Sequence, residues 1–77
     1  MNSRSHKNKY KNRINMWIAR DYDGTLWLFT GEDRPSEMNK SGVYDADDCA
    51  PAMIEKDLYP TVTFETGPVR AELVLLK

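Results

Sequence analysis

The sequence predicts a small, mainly β domain built from two antiparallel hairpins, with an α+β architecture as the alternative. Apolar residues alternate on both sides of an Asp-Gly pair in residues 16–30 and again around Thr-Gly-Pro in residues 61–76. No segment shows a sustained helical period. A chain of 77 residues suffices for one domain, so we expect one four- to five-stranded sheet whose hairpins are joined by a long acidic loop.

The amino end is basic and has no strand or helical period. Residues 1–15 hold five of the eleven Lys and Arg residues and none of the twelve acidic ones, which predicts a disordered tail before a domain at 16–77. In the preferred interpretation the tail is a solubilising extension, or is not translated because Met16 is the start. In the alternative it binds nucleic acid through these residues: Arg4, Lys7, Lys9, Tyr10, Lys11 and Arg13.

The first hairpin turns at an Asp-Gly pair, and its register follows from the side chains. A three-residue loop ending in Gly24 places Trp17 opposite Phe29 and Ala19 opposite Trp27. A two-residue loop would instead mix charged and aromatic side chains on each face. We therefore expect the three-residue loop, with a candidate protein-contact surface formed by Trp17, Trp27 and Phe29.

The segment between the hairpins is polar and predicts an exposed loop over residues 31–41. A short strand is expected around residues 42–44. A second short strand is expected at residues 52–55, where one or two helical turns are the alternative. The following Asp57 and the Leu-Tyr-Pro sequence predict a tight turn.

Acidic and sulfur side chains in this segment do not form a recognisable metal motif. Asp45, Asp47 and Asp48 lack the turn glycine and terminal glutamate of a calcium-binding loop, so we interpret them as a solvated acidic loop. Cys49 is the single cysteine and His6 the single histidine. An intramolecular disulfide is thereby excluded, and we expect no metal and no cofactor.

The second predicted hairpin occupies the carboxyl third. Residues 61–65 alternate Val62 and Phe64 with polar side chains, as a half-exposed strand does, and Thr-Gly-Pro supplies the reversal. Residues 69–76 alternate again, with an apolar end that predicts burial on both faces.

One short motif matches a known catalytic signature. Residues 21–26, DYDGTL, resemble the D-x-D-G-T-L sequence of haloacid dehalogenase-like phosphatases, where the first Asp is the nucleophile and the second the general acid, with Mg²⁺ bound. That chemistry also requires a doubly wound parallel sheet with further ligands, which this chain is too short to build. We therefore expect turn chemistry and no enzyme activity, and a phosphatase-like site at Asp21 and Asp23 is the least favoured alternative.

Two longer stretches carry a family resemblance. Residues 17–29 follow W-I-A-R-D-x-D-G-x-L-x-L-F, and residues 58–69 follow L-[FY]-P-x-V-T-F-E-x-x-P-V. The chain in this respect resembles small uncharacterised proteins of gut bacteria and of their prophages and mobile elements. The resemblance implies a small accessory protein and no particular activity. Proteins of that group usually begin near the position of Met16.

Function is predicted by class only. The leading hypothesis is a non-catalytic protein-interaction module in the cytoplasm, whose partner is an unknown protein or a second copy of the chain in a homodimer. The alternative is nucleic-acid binding through the basic tail alone, since residues 16–77 are acidic. No apolar run is long enough to span a membrane.

Overall fold

A computed structural model describes residues 13–74 and 76, and in these residues the protein contains strands and no helix. The larger sheet is antiparallel, with strand order β5-β2-β1-β6, and β3 and β4 form a separate two-stranded sheet. The predicted mainly β fold is confirmed. The strands are β1 (Arg13–Arg20), β2 (Leu26–Phe29), β3 (Ser36–Glu37), β4 (Tyr44–Asp45), β5 (Ala52–Ile54) and β6 (Val69–Val74).

The first hairpin has the predicted register. Trp17 lies opposite Phe29, and Ala19 lies opposite Trp27. The three-residue loop ends at Gly24, whose φ of 97° is accessible to glycine without a clash with Cβ. The turn geometry therefore determines which side chains share each face of the sheet.

The second predicted hairpin is wrong. Residues 69–74 do form a strand, but β6 pairs with β1, with Ala71 opposite Met16 and Val69 opposite Ile18. Residues 61–65 form no strand. An alternating pattern shows that a segment suits a sheet but does not identify its neighbour, so the adjacent alternating segment was mistaken for the partner.

Local contacts keep residues 61–65 out of the sheet. Tyr59 has a φ of 51°, and its carbonyl accepts a hydrogen bond from the Val62 N–H at 2.9 Å. Thr63 and Thr66 then bond to each other, since each N–H donates to the other's hydroxyl oxygen at 3.1 Å. These short-range bonds satisfy the polar backbone groups that a strand would have paired with a neighbour.

The aromatic side chain of this segment packs against the middle of the protein. The Phe64 ring lies 5.4 Å from the Tyr22 ring and 5.5 Å from the Tyr44 ring, measured between centroids. The Tyr44 hydroxyl also donates to the Phe64 carbonyl at 3.0 Å. Phe64 therefore attaches the turn segment to β4 and to the loop of the first hairpin.

The amino-terminal boundary of the domain also differs from the prediction. β1 begins at Arg13, and residues 13–15 pair with β6, so the predicted tail of residues 1–15 is too long by three residues. The alternation was read from Met16 because the polar Asn15 and the adjacent basic residues concealed an earlier strand start. The remaining predicted tail lies outside the described residues.

Residues 31–60, between the first hairpin and the second predicted one, form what we call the middle segment. This segment follows the prediction in part. The strand predicted at residues 52–55 is confirmed as β5, which pairs with β2, and the helical alternative is wrong. The strand expected near residues 42–44 lies slightly later, as β4, and joins β3 instead of the main sheet. Residues 31–41 are largely exposed as predicted, although Pro35 is fully buried.

The core lies on both faces of the β1–β2 hairpin. On one face Ile18, Leu26 and Val62 are nearly inaccessible, with partly buried apolar neighbours around them. On the other face Ala19 and Phe29 have no exposed surface. Burying a Leu or Phe side chain contributes about 1.5–3 kcal/mol, so this hairpin holds much of the hydrophobic stabilisation of a small domain.

Candidate interaction surface

Arg20, the last residue of β1, attaches the carboxyl-terminal turns to the first hairpin. Its half-buried guanidinium donates to five backbone carbonyls. The acceptors and donor–acceptor distances are Val62 (2.6 Å), Gly24 (2.9 Å), Lys56 (3.0 Å), Leu58 (3.0 Å) and Tyr59 (3.2 Å). A planar guanidinium has five N–H donors in a fixed arrangement, so one side chain can hold several carbonyls together. Sequence reasoning missed this role, although an arginine on an apolar strand face was a signal.

Asp21, the first residue of the phosphatase-like motif, is buried with 6% of its surface exposed. Its Oδ2 accepts a hydrogen bond from the Trp27 Nε1–H at 2.9 Å, and its Oδ1 accepts one from the Tyr44 N–H at 2.9 Å. The Oδ1 bond thus joins β4 to the first hairpin, and the Oδ2 bond holds the Trp27 side chain within the hairpin.

Asp23, the second acidic residue of that motif, lies in the exposed loop of the hairpin. Its Oδ1 accepts a hydrogen bond from the Thr25 N–H at 2.9 Å, and this bond lowers the pKa of the Asp23 carboxyl. The arrangement is an Asx turn leading into β2. Each carboxylate of the motif therefore binds N–H groups of its own chain.

The aromatic surface predicted for partner contact is only partly exposed. Phe29 is fully buried, so its inclusion in an exposed contact surface is wrong. Trp17 and Trp27 are half-buried. The Trp17 indole N–H donates to the Glu32 carbonyl at 3.2 Å, because the chain after β2 folds back over this face. Aromatic composition alone could not show that the chain covers its own aromatic residues.

Two guanidinium groups lie against the Trp17 ring. The Arg34 group is 5.9 Å and the Arg70 group 5.6 Å from the ring centroid, within the range of cation–π attraction. Arg34 comes from the middle segment and Arg70 from β6. Trp17 therefore serves as a structural contact between these two regions.

A different apolar surface remains exposed on the opposite face of the sheet. Ile14 on β1 and Leu73 on β6 are cross-strand partners, with 52% and 56% of their surfaces exposed. Val69 lies on the same face of β6 and is 40% exposed. We call these three residues, Ile14, Val69 and Leu73, the β1–β6 stripe. It continues the face that carries the buried Met16 and Ile18.

The stripe reaches the outer edge of the main sheet. β6 is the terminal strand of the order β5-β2-β1-β6, so no strand among the described residues pairs with its outer side. β6 contains six residues, whereas β5 at the other edge contains three. A further strand can pair with the backbone N–H and C=O groups along a sheet edge, and β6 is the longer of the two edges.

Three acidic residues of the middle segment, Asp33, Asp45 and Asp47, line an open groove of about 350 Å³ together with Arg34, Ser36 and Ala46. Asp48 lies beside this groove and accepts a hydrogen bond from the Asp33 N–H at 3.0 Å, which lowers the pKa of the Asp48 carboxyl. The Cys49 Sγ accepts a bond from the Gly31 N–H at 3.3 Å. Within residues 13–74 and 76, no three His, Cys, Asp or Glu side chains are grouped to bind a metal ion.

The residues predicted to contact nucleic acid are mostly outside the described part of the chain: Arg4, Lys7, Lys9, Tyr10 and Lys11. Arg13 belongs to β1, where its backbone lies opposite Val74. The described residues contain twelve Asp and Glu against six Lys and Arg, so this part of the protein is acidic.

No protein-family model matches the chain, and no curated protein or solved structure does so either. In the described part of the protein, no helix is long and apolar enough to cross a membrane. Functional inference therefore depends on the geometry of the surface and on the chemistry of its residues.

Proposed function

We propose that this protein is a non-catalytic protein-interaction module that binds its partner through the β1–β6 stripe and the adjoining edge of β6. The observation that carries the proposal is the cross-strand pair of Ile14 on β1 and Leu73 on the terminal strand β6, each more than half exposed. Directly opposed residues on one face have Cβ atoms about 4.5–5.5 Å apart, so the two side chains form one continuous apolar contact. Such a contact at the edge of the main sheet suits a partner that adds a strand.

The arrangement of the acidic residues supports a non-catalytic role. Both Asp21 oxygens accept hydrogen bonds, from Trp27 and Tyr44, and only 6% of the residue is exposed, so this carboxylate offers little access to a substrate. Asp23 accepts the Thr25 N–H through Oδ1 as part of the turn. The resemblance of residues 17–29 and 58–69 to small proteins of gut bacteria and their mobile elements supports an accessory role.

The test compares two lysine substitutions on the two edge strands. Leu73→Lys introduces a charge into the stripe, whereas Met53→Lys places the same charge on β5, where Met53 is 67% exposed. Tagged full-length proteins are used for affinity capture from native bacterial lysate treated with nuclease, and captured candidates are then purified and titrated directly. We expect a partner to bind the original protein and Met53→Lys with equal affinity and Leu73→Lys at least tenfold more weakly. Equal binding by all three proteins would contradict the proposal.

Nucleic-acid binding through the basic amino end is the second candidate function, favoured by the concentration of positive charge before residue 14. It requires affinity that falls steeply with salt and a loss of binding in a chain that begins at residue 13. Fluorescence anisotropy with a labelled single-stranded oligonucleotide measures both. Binding that is insensitive to salt or independent of residues 1–12 would count against this candidate.

A further inference from the structure

We propose that the partner at the edge of β6 is a second copy of this chain, and that two β6 strands pair antiparallel about a two-fold axis at Ala71. This inference rests on the proposed function and names the partner for it. Pairing would join two four-stranded sheets into one sheet of eight strands. A single two-fold axis makes the interface self-complementary and closes the assembly as a dimer.

The geometry of an antiparallel pair limits the possible registers. A two-fold axis perpendicular to the sheet keeps each residue on its original face, and opposed residues must share a face. The axis must therefore pass beside one residue of the strand and not between two residues. The two registers that pair five of the six residues of β6 have the axis at Ala71 or at Glu72.

The charges on β6 select between these two registers. An axis at Glu72 would place that carboxylate opposite its own copy. Like charges directly opposed across strands are destabilising. With the axis at Ala71, each Arg70 instead lies opposite the Glu72 of the other copy, which gives two attractive pairs.

Arg70 and Glu72 each also have an interaction within their own chain. Arg70 lies against the Trp17 ring. The inter-chain pairs need neither side chain to be free, because a guanidinium and a carboxylate can each make several contacts at once. The register determines which charges lie opposite each other.

On the other face, the same register merges the apolar stripes of the two copies. With the axis at Ala71, Val69 of each copy lies opposite Leu73 of the other. In one copy Val69 is 40% and Leu73 is 56% exposed, so pairing removes apolar surface from water on the face where Ile14 lies opposite Leu73. One register therefore satisfies the charged and the apolar face together.

The length of the two sheet edges favours a dimer over a filament. The register at Ala71 pairs residues 69–73, almost the whole of β6, whereas β5 offers three residues at the other edge. A short edge strand is a poor template for further pairing. Growth beyond two copies is accordingly disfavoured.

A charge-swap experiment tests this register. R70E and E72R each create like-charge pairs at the interface, whereas the double variant R70E/E72R restores both attractive pairs. Sedimentation velocity over a concentration series should show a dimer for the original chain, dimerisation at least about tenfold weaker for each single variant, and recovery in the double variant. An equimolar mixture of R70E and E72R should form heterodimers, because one copy then carries two carboxylates and the other two guanidiniums.

The mixture also controls for folding, because two misfolded variants would not restore each other's association. Circular dichroism of each variant checks the fold directly. A full chain that stays monomeric at every concentration, or a dimer that neither swap weakens, would overturn the inference. A chain beginning at residue 13 that dimerises when the full chain does not would also overturn it, because residues 1–12 would then occupy the edge.

Failure of this inference remains distinguishable from failure of the proposed function. If the chain is monomeric but a heterologous partner is lost in Leu73→Lys and retained in Met53→Lys, the self-pairing is wrong and the interaction module stands. If the chain is monomeric and capture is unaffected by Leu73→Lys, both are wrong.

Discussion

The first hairpin and the carboxyl third of this protein use similar alternating sequences but acquire their neighbours differently. β1 and β2 are joined by a three-residue loop, and their register follows from the turn. β6 pairs with β1 from the far end of the chain, across the intervening β2 to β5. A local turn signal therefore specifies both a strand and its partner, whereas alternation without a suitable turn specifies only the strand.

Arg20 joins these two regions. Its guanidinium binds the Gly24 carbonyl in the hairpin loop and the Val62 carbonyl in the carboxyl-terminal turns. Val62 also packs against Ile18 and Leu26 in the core. The carboxyl third is thus held by one polar cluster and one apolar side chain in addition to the pairing of β6.

The largest effect is expected from Arg20→Met, which separates the two regions while keeping a long apolar stem. Several carbonyls lose a charged donor, and each such bond is worth about 1.5–3 kcal/mol, so we expect a loss of about 3 kcal/mol or more. A domain of this length has a free energy of unfolding of about 4–12 kcal/mol in total. Urea denaturation followed by tryptophan fluorescence measures the change.

Arg20→Lys is the matched control, because it keeps the charge and removes the planar arrangement of donors. We expect the free energy of unfolding of Arg20→Lys to be close to that of Arg20→Met. Wild-type stability in Arg20→Lys would show that charge, and not the geometry of the guanidinium, holds the carboxyl-terminal turns.

Alanine substitution of one leucine in each region compares the buried strand β2 with the exposed strand β6. Leu26 on β2 has no exposed surface, whereas Leu73 on β6 is 56% exposed. We expect Leu26→Ala to cost about 3 kcal/mol and Leu73→Ala less than about 1 kcal/mol, measured where both proteins are monomeric. Equal losses would contradict the assignment of Leu73 to an exposed surface.

A smaller effect is expected from Asp21→Asn, which acts on the attachment of β4 to the hairpin. The amide keeps one acceptor oxygen but turns an NH₂ group toward either the Trp27 indole N–H or the Tyr44 N–H, both of which are donors. We expect a loss of about 1–3 kcal/mol in urea denaturation. Asp23→Asn, in the exposed turn, should cost less.

The same pair of variants tests the non-catalytic proposal. Magnesium-dependent phosphatase turnover by the original chain that disappears in Asp21→Asn, while the fold persists by circular dichroism, would contradict it.

The smallest effect concerns acid stability. Hydrogen bonding from the Asp33 N–H lowers the pKa of Asp48 below its ordinary value, so folding favours the charged form. This contribution is present above the unfolded pKa of about 4 and is lost as the pH falls through the lower folded pKa. The stability of Asp48→Asn should therefore depend less on pH in that acidic range, measured by thermal unfolding between pH 2 and 6. An unchanged profile would contradict the role of this bond.

The fold class, the loop and register of the first hairpin, and β5 could all be predicted from the sequence, because each has a local signal. Gly24 identified the turn, and the aromatic side chains identified the register. The pairing of β6 with β1 has no local signal, since many strands could accept an alternating partner. Phe29 was assigned to a contact surface because composition does not reveal that residues after β2 fold back over that face.

The β1–β6 stripe could not be predicted from the sequence either, for a related reason. Ile14 lay in a segment predicted to be disordered, and Leu73 lay in a strand predicted to be covered on both faces. They become neighbours only when β6 is placed beside β1. An exposed apolar pair across two distant strands is a property of topology, which the order of residues alone does not provide.

Amide hydrogen exchange of β6, followed residue by residue by NMR at low and high protein concentration, tests the central claim most directly. Pairing with β1 on one side should protect alternate amides between residues 69 and 74 at low concentration, and self-pairing should protect the others as concentration rises. Rapid exchange throughout β6, with protection instead in residues 61–65, would contradict the pairing with β1. Outward amides that exchange equally fast at every concentration would contradict self-pairing at this edge.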